Sequence, residues 1–200
     1  MVAVPFPLPP DPGAFATKIF GDHRTQISEL GEEILVDDRS RVWMSEGGGL
    51  LCNGAFPNHS RIVMRDGAGA VHVWNIPGDR AEVTGLAWDA VAGRLWFARS
   101  GLDAGAAVVS FDPAQVAEDP CTPACFDFST AISTAGFAFY PLPQSRAYPA
   151  KLLLDHDGAG GALGHVWYTE YIGNHVGRVD VATGAAALDR HRLGRLRLRR

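Results

Sequence analysis

The sequence is poor in the residues that usually announce a chemistry. It has three cysteines, Cys52, Cys121 and Cys125. That is too few for an even disulfide framework, and no second pair accompanies Cys121 and Cys125 to make a zinc site. Those two would bridge a short loop in an oxidising compartment and remain thiols in a reducing one. No run reaches the ~18 consecutive apolar residues of a membrane-spanning helix, because charges or glycines interrupt every candidate, so no membrane partner is expected. The opening Met1 to Pro7 lacks a basic stretch and an unbroken apolar core; no secretory signal is read there, and the compartment stays open, with the cytoplasm slightly favoured. A Gly-x-Gly-x-x-Gly turn, a Gly-Lys-Ser/Thr phosphate loop and a Gly-x-Ser-x-Gly elbow are all missing. Nucleotide binding and the common serine-hydrolase chemistry therefore have no basis in the sequence.

Positive charge is scarce as well, except at one end. The formal net charge is −4, from 18 Lys and Arg against 22 Asp and Glu. Six of the arginines lie in Arg190 to Arg200, which leaves 12 basic against 22 acidic groups in the rest of the chain. A body with that balance repels phosphate backbones, and nucleic acid is not expected as a partner.

What is abundant is apolar sequence broken by turns. Hydrophobic residues make up 46 % of the chain, with 23 glycines and 13 prolines scattered between short apolar runs. One core can be buried, but long helices are excluded by the frequency of the breaks. The breaks recur in order. Strands ending in proline occur at Phe6-Pro7-Leu8-Pro9, His72 to Pro77 and Phe139 to Pro143, with Pro9, Pro77 and Pro143 spaced 68 and 66 residues apart. Inside each interval an Asp-containing turn leads to a Trp-centred strand: Val36 to Glu46, Ala87 to Arg99, and Leu154-Asp155-His156-Asp157 followed by His165 to Glu170. A third marker comes after each tryptophan, in Arg61 to Gly67, Ala107 to Pro113 and Gly177 to Gly184.

Each unit reads as a four-stranded antiparallel meander, whose Asp-Gly and Asp-Pro turns supply the required dihedrals. The expected architecture is all-β: a partial β-propeller of about three four-stranded antiparallel blades, ring not closed, since about four to eight blades are needed to close one. The units fall at approximately 10–77, 78–143 and 144–189, with an arginine-rich tail at 190–200 that is expected to be disordered. A β-sandwich also has closely spaced strands, but it gives no reason for the same markers to recur three times. Loop insertions are expected around Asn53 to Ser60 and Glu118 to Ser133. After Gly184 the repeat gives way to Arg-Leu alternation. That end reads either as a basic tail for an acidic partner or as a truncated or frame-altered terminus.

The segment Val166-Trp167-Tyr168-Thr169-Glu170-Tyr171-Ile172-Gly173-Asn174-His175-Val176-Gly177-Arg178-Val179 resembles the blade motif of the streptogramin lyase (virginiamycin B lyase) family. Looser copies at Trp43 to Glu46 and Trp96 to Arg99 extend the likeness over most of residues 30 to 184. The resemblance implies a six- to seven-bladed propeller, of which this chain would supply about three. It also implies an antibiotic-resistance activity: a carbon–oxygen lyase that opens a cyclic depsipeptide at its ester by elimination, with bound Mg²⁺ and a Glu/His pair. There a base removes the proton α to a carbonyl while the metal stabilises the developing charge. By this resemblance Glu170 stands at the metal position, and Glu46 at its counterpart in an earlier unit. The family's acid/base pair comes from a Glu-Pro-His segment opening the blade; here Ala147-Tyr148-Pro149-Ala150 stands ahead of Glu170, and the pair is missing. The alternative is a non-catalytic repeat module for protein or ligand binding, whose open blade edges take up missing blades or a second copy. A small cyclic ester or lactone is the substrate class only if the chain is enzymatic.

Each candidate also has a plain structural reading. Recurrence at Glu46 makes Glu170 a repeat feature, a carboxylate satisfying turn N–H groups. His175, five residues on, is a candidate base or ligand, yet alternation places it in a surface turn. Asp155-His156-Asp157 reads as a metal cluster or as an Asx-type turn. Trp43, Trp96 and Trp167 read as packing between blades rather than as a stacking surface for a ligand.

Overall fold

A computed structural model describes residues 33–46, 60–78, 82–100, 105–118, 133–144, 147–157, 161–171 and 175–189. The three cysteines, the strand at Phe6 to Pro9, most of the two expected insertions and the tail from Arg190 lie outside these residues. Within them the chain is strand, turn and loop, in three sheets.

Blade 1 contains β1 (Ile34–Val36), β2 (Val42–Glu46), β3 (Arg61–Arg65) and β4 (Val71–Asn75). Blade 2 contains β5 (Glu82–Asp89), β6 (Arg94–Ser100), β7 (Ala107–Phe111) and β8 (Phe137–Pro141). Blade 3 contains β9 (Pro149–His156), β10 (Leu163–Glu170), β11 (His175–Asp180) and β12 (Ala186–Asp189). Every strand pairs antiparallel with its neighbours in the chain, so each blade is the meander that the turn pattern demands. Among the described residues the architecture is a partial β-propeller of three four-stranded blades without a closed ring.

Aspartates fix the turns. Asp37 Oδ1 accepts from the backbone N–H of Arg39 and Arg41, and its Oδ2 accepts from the Trp43 indole at 2.8 Å. Asp66, Asp89, Asp112 and Asp180 accept from N–H groups two to four residues on in the same way. These side chains satisfy donors that a tight turn leaves unpaired. The proline-ended strands stop where the ladder runs out: Ile76 N–H donates to Ser60 and Leu142 N–H to Ala106 just before Pro77 and Pro143.

Register decides which face each residue covers. Leu35 pairs with Trp43, Ala87 with Trp96 and Leu153 with Trp167, so each tryptophan sits at the same place in its blade. Cross-strand partners share a face, and that face looks toward the next blade. Trp43, Ile62, Met64 and Trp74 of blade 1 pack with Leu95, Phe97, Val109 and Phe111 of blade 2. Trp96 and Val108 of blade 2 pack with Val166, Tyr168 and Val179 of blade 3. Trp43 stacks on Trp88 of β5 at 5.6 Å, an aromatic contact between blades that the repeat markers did not single out. The principal contacts between sheets are made by the first strand of one blade with the first two strands of the blade before it: β5 on β1 and β2, β9 on β5 and β6.

Trp167 differs from its counterparts. Trp43 and Trp96 are buried, whereas Trp167 is half-buried and lines a groove of about 290 Å³ with Lys151, Leu153, Thr169 and Val176. Among the described residues no sheet covers this face. Arg178 lies over the Trp167 ring at 5.7 Å instead.

Candidate functional site

The site implied by the resemblance lies where β9 begins and β10 ends. Glu170 is the last residue of β10 and pairs with Pro149 on one side and His175 on the other. A register shift between Tyr168 and Glu170 accompanies this end of the ladder, and Tyr171 N–H donates to the Tyr148 carbonyl at 2.8 Å. The chain thus holds Tyr148-Pro149-Ala150 directly beside Glu170. The residues that flank Pro149 are a phenol and a methyl group, where the resemblance would have an acid and an imidazole.

Glu170 is 4 % exposed, and its side chain is closed to solvent. Its Oε2 lies 3.2 Å from Nδ1 of His175. Its Oε1 is buried and has no hydrogen-bond partner among the described residues. Tyr168, two residues back on the same face, is in a similar position: its hydroxyl is buried with no partner among the described residues, and its ring lies over Gly177. Burial, and next the Glu170 carboxylate, push the Tyr168 phenol up to about 12.

These findings change the reading of two residues. His175 is the first residue of β11, half-buried and paired with Glu170, rather than part of a surface turn. The only bond that the Glu170 carboxylate makes among the described residues is to an imidazole, not to turn N–H groups. Glu46 ends β2 opposite Arg61, and its side chain lies outside the description. In blade 2 the corresponding end holds Arg99, whose Nη1 donates to the Pro77 carbonyl, and the following Ser100 hydroxyl reaches Glu82.

Asp155, His156 and Asp157 do not converge. Asp155 accepts from the Trp167 indole, while His156 Nδ1 lies 3.1 Å from the Gly161 carbonyl and its Nε2 lies 3.9 Å from Asp89. No group of three or more His, Cys, Asp or Glu side chains placed to hold a metal occurs among the described residues. Mg²⁺ takes several oxygen ligands and keeps water. One carboxylate shut off from solvent beside an imidazole nitrogen does not fit that demand.

Two features of this end went unread in the sequence. Thr84 donates its hydroxyl to the Pro149 carbonyl, and Lys151 pairs with Glu33, so the starts of all three blades are tied together here. The Ala81 to Gly85 and Ala147 to Ala150 segments each open a unit, and that was the available signal.

No family model matches the sequence. No curated protein matches it either. Among solved structures, a streptogramin B lyase superposes with a TM-score of 0.51 at 18 % identity, over 78 % of this chain and 38 % of that one. A catalytically inactive virginiamycin B lyase variant from Staphylococcus aureus, solved with quinupristin, gives a TM-score of 0.46 at 16 % identity, over 82 % of this chain and 56 % of that one. The chain therefore spans 38 % and 56 % of the lengths of these structures. The first likeness shows the fold alone, a distant propeller-like arrangement of blades.

Proposed function

We propose that the chain is a non-catalytic β-propeller repeat module that works by binding a protein through its open blade face. The observation that carries this reading is the Tyr148-Pro149-Ala150 segment seated against Glu170. The positions flanking Pro149, where the resemblance would put a Glu and a His, hold Tyr148 and Ala150, and general acid–base catalysis needs its groups within hydrogen-bond reach of the moving proton. The scaffold supports binding without the reaction, as fold does not fix chemistry.

The test is incubation of the purified chain with a streptogramin B ester and Mg²⁺, next to a complete lyase as control. The ester is expected to stay intact in the chain's presence while the control opens it. The Mg²⁺ dependence of melting should be the same for the chain and for Glu170→Gln. Ring opening that Glu170→Gln abolishes would overturn the binding reading.

One observation favours a lyase reading, the buried and unpartnered Oε1 of Glu170 beside His175. In that reading these two side chains are remnants of an elimination site for a cyclic ester or lactone. The same assay decides between the two.

A further inference from the structure

His72 departs from the repeat at a place where two blades meet. Register carries one row from Trp43 through Met64 to His72 in blade 1; the same row ends in Ala138 in blade 2 and in Ala187 in blade 3. Cross-strand partners share a face, so His72 lies on the side of blade 1 that looks toward blade 2.

Both ring nitrogens of His72 face a carboxylate. Nδ1 lies 2.9 Å from Oε1 of Glu118, on the connection that leaves β7 of blade 2, and Nε2 lies 3.6 Å from Oδ2 of Asp66, in the turn between β3 and β4. The other oxygen of Asp66 is committed to the N–H groups of Ala68 and Ala70. The His72 ring also stacks on Trp74 at 6.0 Å and 14°, and Trp74 in turn stacks on Trp43 and meets Phe111 of blade 2 edge-on. Of the other charged groups on the elements around it, Arg65 ends β3 with its guanidinium beside Gly69 of the turn, and Asp112 accepts from Ala114 and Gln115 within the connection.

A neutral imidazole has one N–H and one lone pair. In either tautomer one of the two carboxylates then faces a lone pair. Only the imidazolium points a donor toward both acids, and it alone sets a positive charge against the Trp74 ring. Asp66 reports the same arrangement: burial opposes its charge, but the Ala70 and Ala68 N–H groups and then His72 outweigh that and hold its carboxyl below the usual aspartate range.

We propose that His72 is a proton-operated clip that fastens the connection leaving β7 of blade 2 to the rim of blade 1. Two residues before Glu118 the connection is anchored by Val116, which packs against the core between the two blades. The clip adds an outer tie to a seam that Trp43 and Trp88 hold near the first strands. An imidazole changes its charge between pH 5 and 8, a range in which ordinary carboxylates stay ionised and indoles do not titrate. The tie is closed on the acid side and loosened on the alkaline side, while the aromatic seam stays as it is. Stability that belongs to the protonated form is present at low pH and is lost as pH rises. The clip belongs to blades 1 and 2, whereas Glu170 and the open Trp167 face belong to blade 3, so this device stands apart from the function proposed above.

The experiment is a double-mutant cycle on the full chain, with His72→Gln, Glu118→Gln and the two together, read as urea midpoints at pH 5 and at pH 8. Both side chains are partly exposed, so the variants are expected to fold, and far-ultraviolet circular dichroism checks this. At pH 5 each single substitution is expected to lower the midpoint by about 0.3 M, the scale of an exposed ion pair in a small domain, and the second to add little to the first. At pH 8 all four midpoints should agree. Equal losses at both pH values would show a role of shape rather than charge and overturn the clip, as would substitutions that act independently at pH 5. If His72→Gln does not fold, Glu118→Gln alone decides: its loss must appear at pH 5 and vanish at pH 8, and any other pattern overturns the proposal.

Discussion

Gly85 of β5 lies so close to β9 that a Cβ on it would stand 2.5 Å from the Ala150 carbonyl oxygen and 3.1 Å from the Lys151 Cα. The backbones of blades 2 and 3 touch here with no side chain between them, at a register shift in β5. Gly85 has a φ of +56°, which penalises any L side chain. Gly85→Ala should therefore destabilise the chain by about 3 kcal/mol, the sum of left-handed strain and overpacking against backbone. Urea unfolding would show this as a lower midpoint; an unchanged midpoint would mean that the two first strands are not in contact.

Asp37 offers a pH test. Burial opposes its charge, but donors from the Trp43 indole, from Arg41 and from the Arg39 backbone outweigh that and hold the carboxyl below the usual aspartate range. A group with a depressed folded value contributes stability above its unfolded value and loses it as pH falls toward the folded one. Asp37→Asn should cost about 2 kcal/mol at neutral pH, with a gap to the parent that narrows below about pH 4. Urea midpoints measured across that range check the sign.

Equivalent tryptophans should behave unequally. Trp96→Ala empties a site between two blades and should cost about 4 kcal/mol. Trp167→Ala removes a half-exposed ring and should cost about 1 kcal/mol or less in the dilute single chain. Thermal melts at low concentration compare the two; equal losses would place a covering sheet over Trp167 within the same chain.

Tyr168 predicts alkaline behaviour. Its phenol, pushed up to about 12, stays neutral in the fold after an ordinary tyrosine near 10 has ionised. Stability linked to this group is complete below about pH 10 and is lost as pH rises toward the folded value. Tyr168→Phe should remove one late step from the ultraviolet tyrosinate titration. It should also raise stability by about 1 kcal/mol, since the hydroxyl is buried with no partner among the described residues.

The sheets were legible because a meander keeps its pairing local. Each Asp turn, Trp strand and proline stop reports on neighbours a few residues away, and the three-fold recurrence of their order specified three antiparallel blades. Contacts between blades are not written that way. Gly85 meets Ala150 and Thr84 meets Pro149 from 65 residues off, and neither glycine nor threonine carries a mark of its distant partner. Trp88 carries no mark of its partner either, since it precedes the Asp turn instead of centring the strand after it, although it stacks on Trp43.

The site was half legible. The Glu170 and His175 positions could be named from the motif, and the hairpin between them brings the two side chains together. Their setting could not be read, because alternation along β10 does not reveal that the carboxylate is closed to solvent. The vacancy beside Pro149 was legible as Tyr148 and Ala150, and it is a matter of residue identity alone.

Since each strand bonds only to strands next to it in sequence, a cut at a loop between blades severs no ladder. Whole units can be gained, lost or shuffled in descent while the survivors keep their internal pairing. Insertion of a fifth strand or loss of a single one would instead turn every later face the wrong way. Evolution in such a molecule proceeds by quanta of four strands.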